Sequence, residues 1–226
     1  VIGLHLAEGR VRGAVLSDGT PLRSDVYVLA PHAVHLSALL PEALRADPFF
    51  ARVQQLSTAP VVGVHVWYDR PVADLEFAAF VDSEVQWLFN KTRIYGRDEA
   101  AGQYLCISLS GARDYVDMPK EELRRRFLAE LAGLFPRARE AQVVRFVVVR
   151  ERHATVAPAP GAQRHRPPQR TPVPNLFLAG SWTDTGWPDT MESAVRSADL
   201  CVRAIRQAAR GAYPEPAAVP APLASP

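Results

Sequence analysis

Residues 175–200, NLFLAGSWTDTGWPDTMESAVRSADL, decide how this chain is read. An apolar run from Leu176 to Ala179 ends at Gly180, a loop with Trp182 and Trp187 follows, and a helical pattern starts near Thr190. A glycine at a strand end carries no Cβ, so another group can come close to the backbone. The helix start presents unpaired N–H groups and the positive end of its dipole, which favour an anion or an electron-rich carbonyl. Two indoles beside that point offer flat apolar walls and N–H donors. Together these features suit a flat, partly charged ring system such as a flavin. An ordinary strand–helix turn packed with aromatics has the same pattern, and spacing alone does not separate the two. Asp189 or Thr190 reads as the helix cap, with Glu192 three residues after Asp189 resembling a capping box. Met191, Ala194, Val195, Ala198, Val202 and Ile205 read as the helix's apolar face, and Gly211 as its end.

Outward from this stretch the pattern is mixed. The opening, VIGLHLAEGRVRGAVLSDGTPL, reads as short strands broken by the turn dipeptides Glu8-Gly9 and Asp18-Gly19. Val26 to Ala30 is almost continuously apolar, as in a strand of a parallel sheet buried on both faces. From Pro60 to Asp69 valines at 62, 64 and 66 alternate with Gly63, His65 and Trp67, and the runs EFAAFV, VQWLFN and QYLCISLS follow. That alternation predicts an antiparallel sheet with one covered face. DMPKEELRRRFLAELAGLFP predicts a helix with Pro119 in its first turn, a stripe of Leu123, Phe127, Leu131 and Leu134, and a stop at Pro136. QVVRFVVVRE reads as a further strand, and 157–174 as an ordered, irregular proline-rich excursion. The tail YPEPAAVPAPLASP reads as disordered.

Composition bounds the function. The chain has 226 residues, 48% apolar and 22% charged, with a net charge of +2, which argues for no nucleic-acid partner. Arg124-Arg125-Arg126 and Arg164-His165-Arg166 read as a solvated helix face and a loop, with phosphate or an anionic membrane surface as the other reading. Cys106 and Cys201 lack metal-ligand spacing and read as small buried residues in a reducing compartment. No apolar run approaches the ~18 residues of a membrane span, and no signal peptide is apparent; the expected location is cytoplasmic, peripheral to the inner membrane if the substrate is greasy. Because the first residue is Val1, the chain is expected to begin inside a longer protein. His32 and His35 have no third ligand to make a metal site, His65 falls on the outward side of its strand, and no metal is expected.

LFLAGSWTDTGWPDTMESAVRSA resembles the C-terminal flavin signature of the amine oxidase and phytoene desaturase superfamily. Within it the order Trp-Thr-x-Thr-Gly-x-Pro-x-Thr is similar to the squalene-associated FAD-dependent desaturases, the hydroxysqualene dehydroxylases of bacterial hopanoid biosynthesis. GVHVWYDRPV, VQWLFNK and VVVRERHATVAPAPG followed by RPP…T agree, so the resemblance spans about residues 1 to 206. It implies an α/β (mixed α+β) fold, the C-terminal part of a two-domain FAD-binding fold with an antiparallel-sheet substrate domain. Residues 1–40 would be the returning segment of the FAD-binding domain, 41–150 the substrate domain with an apolar face for a long isoprenoid, 151–213 the C-terminal FAD-binding segment and 214–226 the tail.

The resemblance also implies roles. Gly180 would let the strand end approach the cofactor, with Ser181, Trp182 and Gly186 in the loop beside it. Trp187, Pro188, Thr190 and Met191 would lie along the ring, with the N–H groups near Met191 facing its pyrimidine edge. Glu192 would cap the helix, and Ala194 would permit close packing. His153, in RERHATV, is the histidine placed nearest the flavin. The sequence departs from the family at Ser181, where an acid is usual, and at Ser193 and Ala198, where glycines are usual. The family's G-x-G-x-x-G phosphate loop is absent, since Gly3, Gly9, Gly13 and Gly19 lack the spacing. The expected activity is therefore FAD-dependent dehydroxylation of hydroxysqualene to squalene, with no catalytic residue identified. A carotenoid desaturase or amine oxidase is the rival within the fold. A truncated or split chain that needs an N-terminal half is the rival outside it.

Overall fold

The computed structural model describes residues 1–212; the tail expected to be disordered lies outside the described residues. Two units form, one from residues 1–57 together with the chain from 158 onward, the other from residues 58–157. Residues 41–57, assigned above with the central strands, thus belong to the first unit, and the second extends to Ala157.

The first unit opens with an antiparallel meander of β1 (Gly3–Ala7), β2 (Arg10–Val15) and β3 (Pro21–Leu22). Ala7 pairs with Arg10 across the two-residue loop Glu8-Gly9, whose φ values of 53° and 70° match the left-handed geometry of a tight hairpin turn. β4 (Tyr27–Leu29) follows, then α1 (Ala33–Leu39), α2 (Glu42–Arg45), α3 (Pro48–Ala51) and a 3-10 turn at Arg52–Gln55. His32 caps α1, its Nδ1 accepting from the Val34 N–H.

The second unit holds β5 (Thr58–Tyr68), β6 (Phe77–Ala79), β7 (Trp87–Asn90), α4 (Lys91–Ile94), β8 (Gln103–Ser110), α5 (Lys120–Leu134) and β9 (Val143–Val156). Its five strands are antiparallel, in the order β6-β7-β8-β5-β9. Side chains alternate across a strand, so Val62, Val64 and Val66 of β5 and Leu105, Ile107 and Leu109 of β8 share one face and are fully buried. Leu123, Phe127 and Leu131 of α5 complete that core at the expected helical spacing. Pro119 sits at the helix's N-cap, and Phe135 ends it before Pro136.

The chain then returns to the first unit through a 3-10 turn at Ala162–His165, β10 (Leu176–Leu178) and α6 (Met191–Ala212). β10 runs parallel to β4, with Leu176 opposite Tyr27 and Leu178 opposite Leu29. β10 is buried throughout, as expected of a parallel strand, but β4 is not: Tyr27 and Leu29 point inward while Val28 is 46% exposed. Alternation puts Val28 on the other face of this ladder, so burial on both faces holds for β10 alone.

Asn175 joins the meander to this ladder. Its Oδ1 accepts from the Val11 N–H at 3.0 Å and its Nδ2 donates to the Val11 carbonyl at 2.9 Å, with the side chain buried. Asn175→Ala strands a buried donor and a buried acceptor, so we expect a loss of about 2 kcal/mol in denaturant titrations. Asn175→Asp should also destabilise, because a carboxylate cannot donate to the Val11 carbonyl.

Candidate functional site

β10 delivers Ala179 to a sharp corner at Gly180. The Ala179 N–H still donates to the Leu29 carbonyl at 3.0 Å, and Gly180 then turns with φ of 144°. The reason for glycine is local: a Cβ there would meet Trp182 Nε1 at 2.4 Å and Cδ1 at 2.9 Å. The Trp182 indole therefore fills the space that the sequence reading left to a cofactor. Trp182 is buried, and its Nε1–H donates to the Pro31 carbonyl at 2.9 Å. It packs the strand end and is not an open wall. Thr183, fully buried, closes the turn by donating from its hydroxyl to the Gly180 carbonyl at 2.8 Å.

The loop's backbone is held by Arg166, from the basic cluster expected to be solvated. Arg166 is 8% exposed. Its guanidinium donates to the carbonyls of Ser181 at 2.5 Å, Trp187 at 2.6 Å and Trp182 at 3.3 Å, and to Ser193 Oγ at 3.2 Å. Burial pushes its pKa down, opposed by Asp189 and Asp184. A rigid five-donor fork suits several acceptors arranged around one point. Gln169 adds to the frame, donating to Thr183 Oγ1 at 2.9 Å and to the Asp184 carbonyl at 3.2 Å. Neither contact was legible beforehand. The one hint for Arg166 is that Pro167-Pro168 fixes its backbone in a segment that must return to β10.

α6 corrects three expectations. Thr190, one of the two caps expected, holds that place, its Oγ1 accepting from the Ser193 N–H at 3.4 Å, but Glu192, expected to complete a capping box, pairs with Arg196 one turn on. The helix also continues through Gly211 to Ala212. Above all, the apolar stripe is turned outward: Met191 is 89% exposed, Val195 61% and Val202 46%. Ser193, Ser197 and Cys201 face inward instead and are buried, with Ile205 partly so. The serines win because the corner offers backbone groups to satisfy. Ser193 Oγ donates to the Ser181 carbonyl at 2.8 Å, and Ser197 Oγ accepts from the Gly180 N–H at 2.8 Å. The extra atoms of Ser193, a departure from the family's glycine, thus tie the helix to the loop.

Of the residues singled out, the structure brings Ser181, Trp187, Pro188, Thr190 and Met191 to the start of α6. Gly186 supports the loop with φ of 67°. Trp187 is 42% exposed and lies under the Arg196 guanidinium, 4.2 Å from its ring centroid. The first N–H groups of α6 point out of the helix end, since only later ones find intrahelical acceptors. His153 lies on β9, in the other unit, with Nδ1 2.8 Å from Thr58 Oγ1.

Residues 1–206 match the family described as flavin containing amine oxidoreductase. The chain belongs to that family. It is similar to the 15-cis-phytoene desaturase of Solanum lycopersicum, 28% identical over 208 residues, covering 88% of this chain and 36% of the relative. It is similar to the zeta-carotene desaturase of Synechocystis, 29% identical over 226 residues, covering 88% of this chain and 45% of the relative. In fold it resembles an oxidoreductase from Methanosarcina mazei, with a TM-score of 0.66 at 16% identity, covering 91% of this chain and 48% of the other. The chain thus spans less than half the length of these relatives.

FAD is the cofactor this family membership implies. The start of α6 would offer one edge of it unpaired N–H groups, a half-open Trp187 and an exposed apolar helix side at Met191 and Val195. Trp182 and the Glu192 side chain are engaged elsewhere.

Proposed function

We propose that this chain is the flavin-end portion of an FAD-dependent oxidoreductase acting on a C30 isoprenoid, removing the hydroxyl of hydroxysqualene to give squalene in hopanoid biosynthesis. The observation that carries this reading is the loop from Trp182 to Thr190, with the order Trp-Thr-x-Thr-Gly-x-Pro-x-Thr, set at the start of α6. When bound, reduced FAD supplies the hydride that replaces the leaving hydroxyl. The N–H groups near Met191 face the ring's pyrimidine edge and favour negative charge there. Trp187 borders the ring, and Arg166 holds the loop that carries Trp187. The phosphate end of the cofactor is held by a nucleotide-binding unit with a G-x-G-x-x-G loop, the partner this chain requires. The greasy substrate brings the protein to a membrane surface as a peripheral contact; no helix among the described residues is long and apolar enough to cross one.

The relatives' names favour a second reading, a carotenoid desaturase, since they are phytoene and zeta-carotene desaturases. One experiment separates the readings. The 226-residue chain alone should be colourless and turn yellow when co-expressed with the nucleotide-binding half. That complex, given reduced FAD and hydroxysqualene, should release squalene. Double bonds added to phytoene when the complex is given oxidised FAD instead, with hydroxysqualene untouched under reduced FAD, would replace the dehydroxylase by the desaturase.

A further inference from the structure

The face of the five-stranded sheet opposite α5 is aromatic. Strand register puts Phe77, Phe89, Trp87, Tyr104, Trp67 and His65 on it together. The rings stand in two groups: Phe77 to Phe89 at 6.4 Å and Phe89 to Trp87 at 6.1 Å in one, and Trp67 stacked on Tyr104 at 4.2 Å and 8° in the other. Phe77 and Trp87 are 58% and 44% exposed. The four strands that carry these rings, set about 4.8 Å apart, give a strip about 14 Å across. Two cations border it, and each sits over a ring: Arg145 over Trp67 at 5.1 Å and Lys91 over Phe89 at 5.5 Å.

One polar pair lies within this strip. His65 Nδ1 and the Tyr104 hydroxyl are 2.7 Å apart. The other ring nitrogen, Nε2, lies 3.0 Å from where a Cβ on Gly63 would stand, so glycine at 63 is what leaves room for the imidazole. Nε2 has no hydrogen-bond partner among the described residues, and no buried polar side-chain atom there lacks one, so Nε2 remains accessible. Burial and then Lys91 hold the pKa of His65 down, which keeps the imidazole neutral. A neutral imidazole braced by a rotatable phenol offers Nε2 as either donor or acceptor.

We propose that this face binds an extended apolar ligand carrying a single hydroxyl, and that His65, braced by Tyr104, receives that hydroxyl. A pure hydrocarbon laid over the strip would strip Nε2 of water and return nothing. A cationic head would be repelled by Arg145 and Lys91 at the border. An aliphatic chain with one oxygen satisfies both the rings and the imidazole. The inference rests on the hydroxysqualene reading above and assigns the residue that receives the substrate's hydroxyl.

The test compares farnesol with the hydrocarbon that lacks only its hydroxyl, 2,6,10-trimethyldodeca-2,6,10-triene, titrated into the full 226-residue chain and followed by quenching of tryptophan fluorescence. The wild type should bind farnesol about tenfold more tightly, the size of one added hydrogen bond. In His65→Leu that preference should fall to about onefold while the hydrocarbon's affinity moves less than about twofold. Tyr104→Phe keeps the ring stack but removes the brace, and should lose part of the preference; it also serves if His65→Leu folds poorly. Equal binding of both ligands by the wild type, or an undiminished preference in His65→Leu, overturns the role of His65 and leaves the isoprenoid reading standing. Binding of neither ligand overturns the assignment of this face as the ligand's seat, and the squalene-release assay of the assembled complex then judges the isoprenoid reading separately.

Discussion

Arg166→Met should destabilise the first unit by about 3–5 kcal/mol and free the tryptophan loop. Methionine keeps the aliphatic stem of the side chain but offers no donors. The carbonyls of Ser181, Trp182 and Trp187 would each lose a charge-assisted bond in a buried setting, where an unmet acceptor costs about 1–3 kcal/mol. The sum is reduced because burying a guanidinium is itself costly, and a neutral replacement avoids that cost. Arg166→Lys should recover only part of the loss, since an ammonium cannot span carbonyls that the planar fork reaches together. Denaturant titration gives the stability, and near-ultraviolet circular dichroism reports the fixed indole of Trp182. A loss below about 1 kcal/mol with an unchanged aromatic signal would mean that the loop holds itself without the arginine.

Gly180→Ala should cost about 3 kcal/mol or more. At φ of 144° an L side chain is strained, and its Cβ would stand 2.4 Å from Trp182 Nε1. The indole must move, which breaks its bond to the Pro31 carbonyl and reopens a buried site. The clash and the strain can be separated by a double-mutant cycle. Trp182→Phe removes the clashing nitrogen, so the double variant should lose clearly less than the sum of the single ones. Strict additivity would show that strain at Gly180 alone accounts for the effect. Cofactor affinity in the assembled flavoprotein should fall in Gly180→Ala as well, because Ser181 and the start of α6 hang from this corner through Ser193 and Ser197.

Much of the fold was legible because its signals are local. Valines alternating at 62, 64 and 66 placed the sheet and its covered face. The stripe on α5 placed the helix that covers it. Glu8-Gly9 placed a hairpin turn that the backbone angles match. The strand–loop–helix from Leu176 was placed within a residue or two. The site was less legible. Trp187 stands half-exposed beside the start of α6, while Trp182 and Gly180 turned out to serve each other. Arg166 went unread because its acceptors are backbone carbonyls 15 to 21 residues further on, and a carbonyl leaves no mark in the residue types.

By itself, then, the sequence determined the alternating strands, the first hairpin turn and the helix α5, and that a buried strand hands over to a long helix through a glycine corner; the short helices α2 to α4 were not read from it. Hydrophobic period and glycine stereochemistry act over a few residues, so they can be read without knowing neighbours. The tertiary structure decided which face of α6 turns inward. Periodicity favoured Val195 and Val202, yet Ser193 and Ser197 are buried. The strand end left a backbone N–H and a carbonyl to be satisfied, and small hydroxyl side chains meet that demand where larger apolar ones cannot.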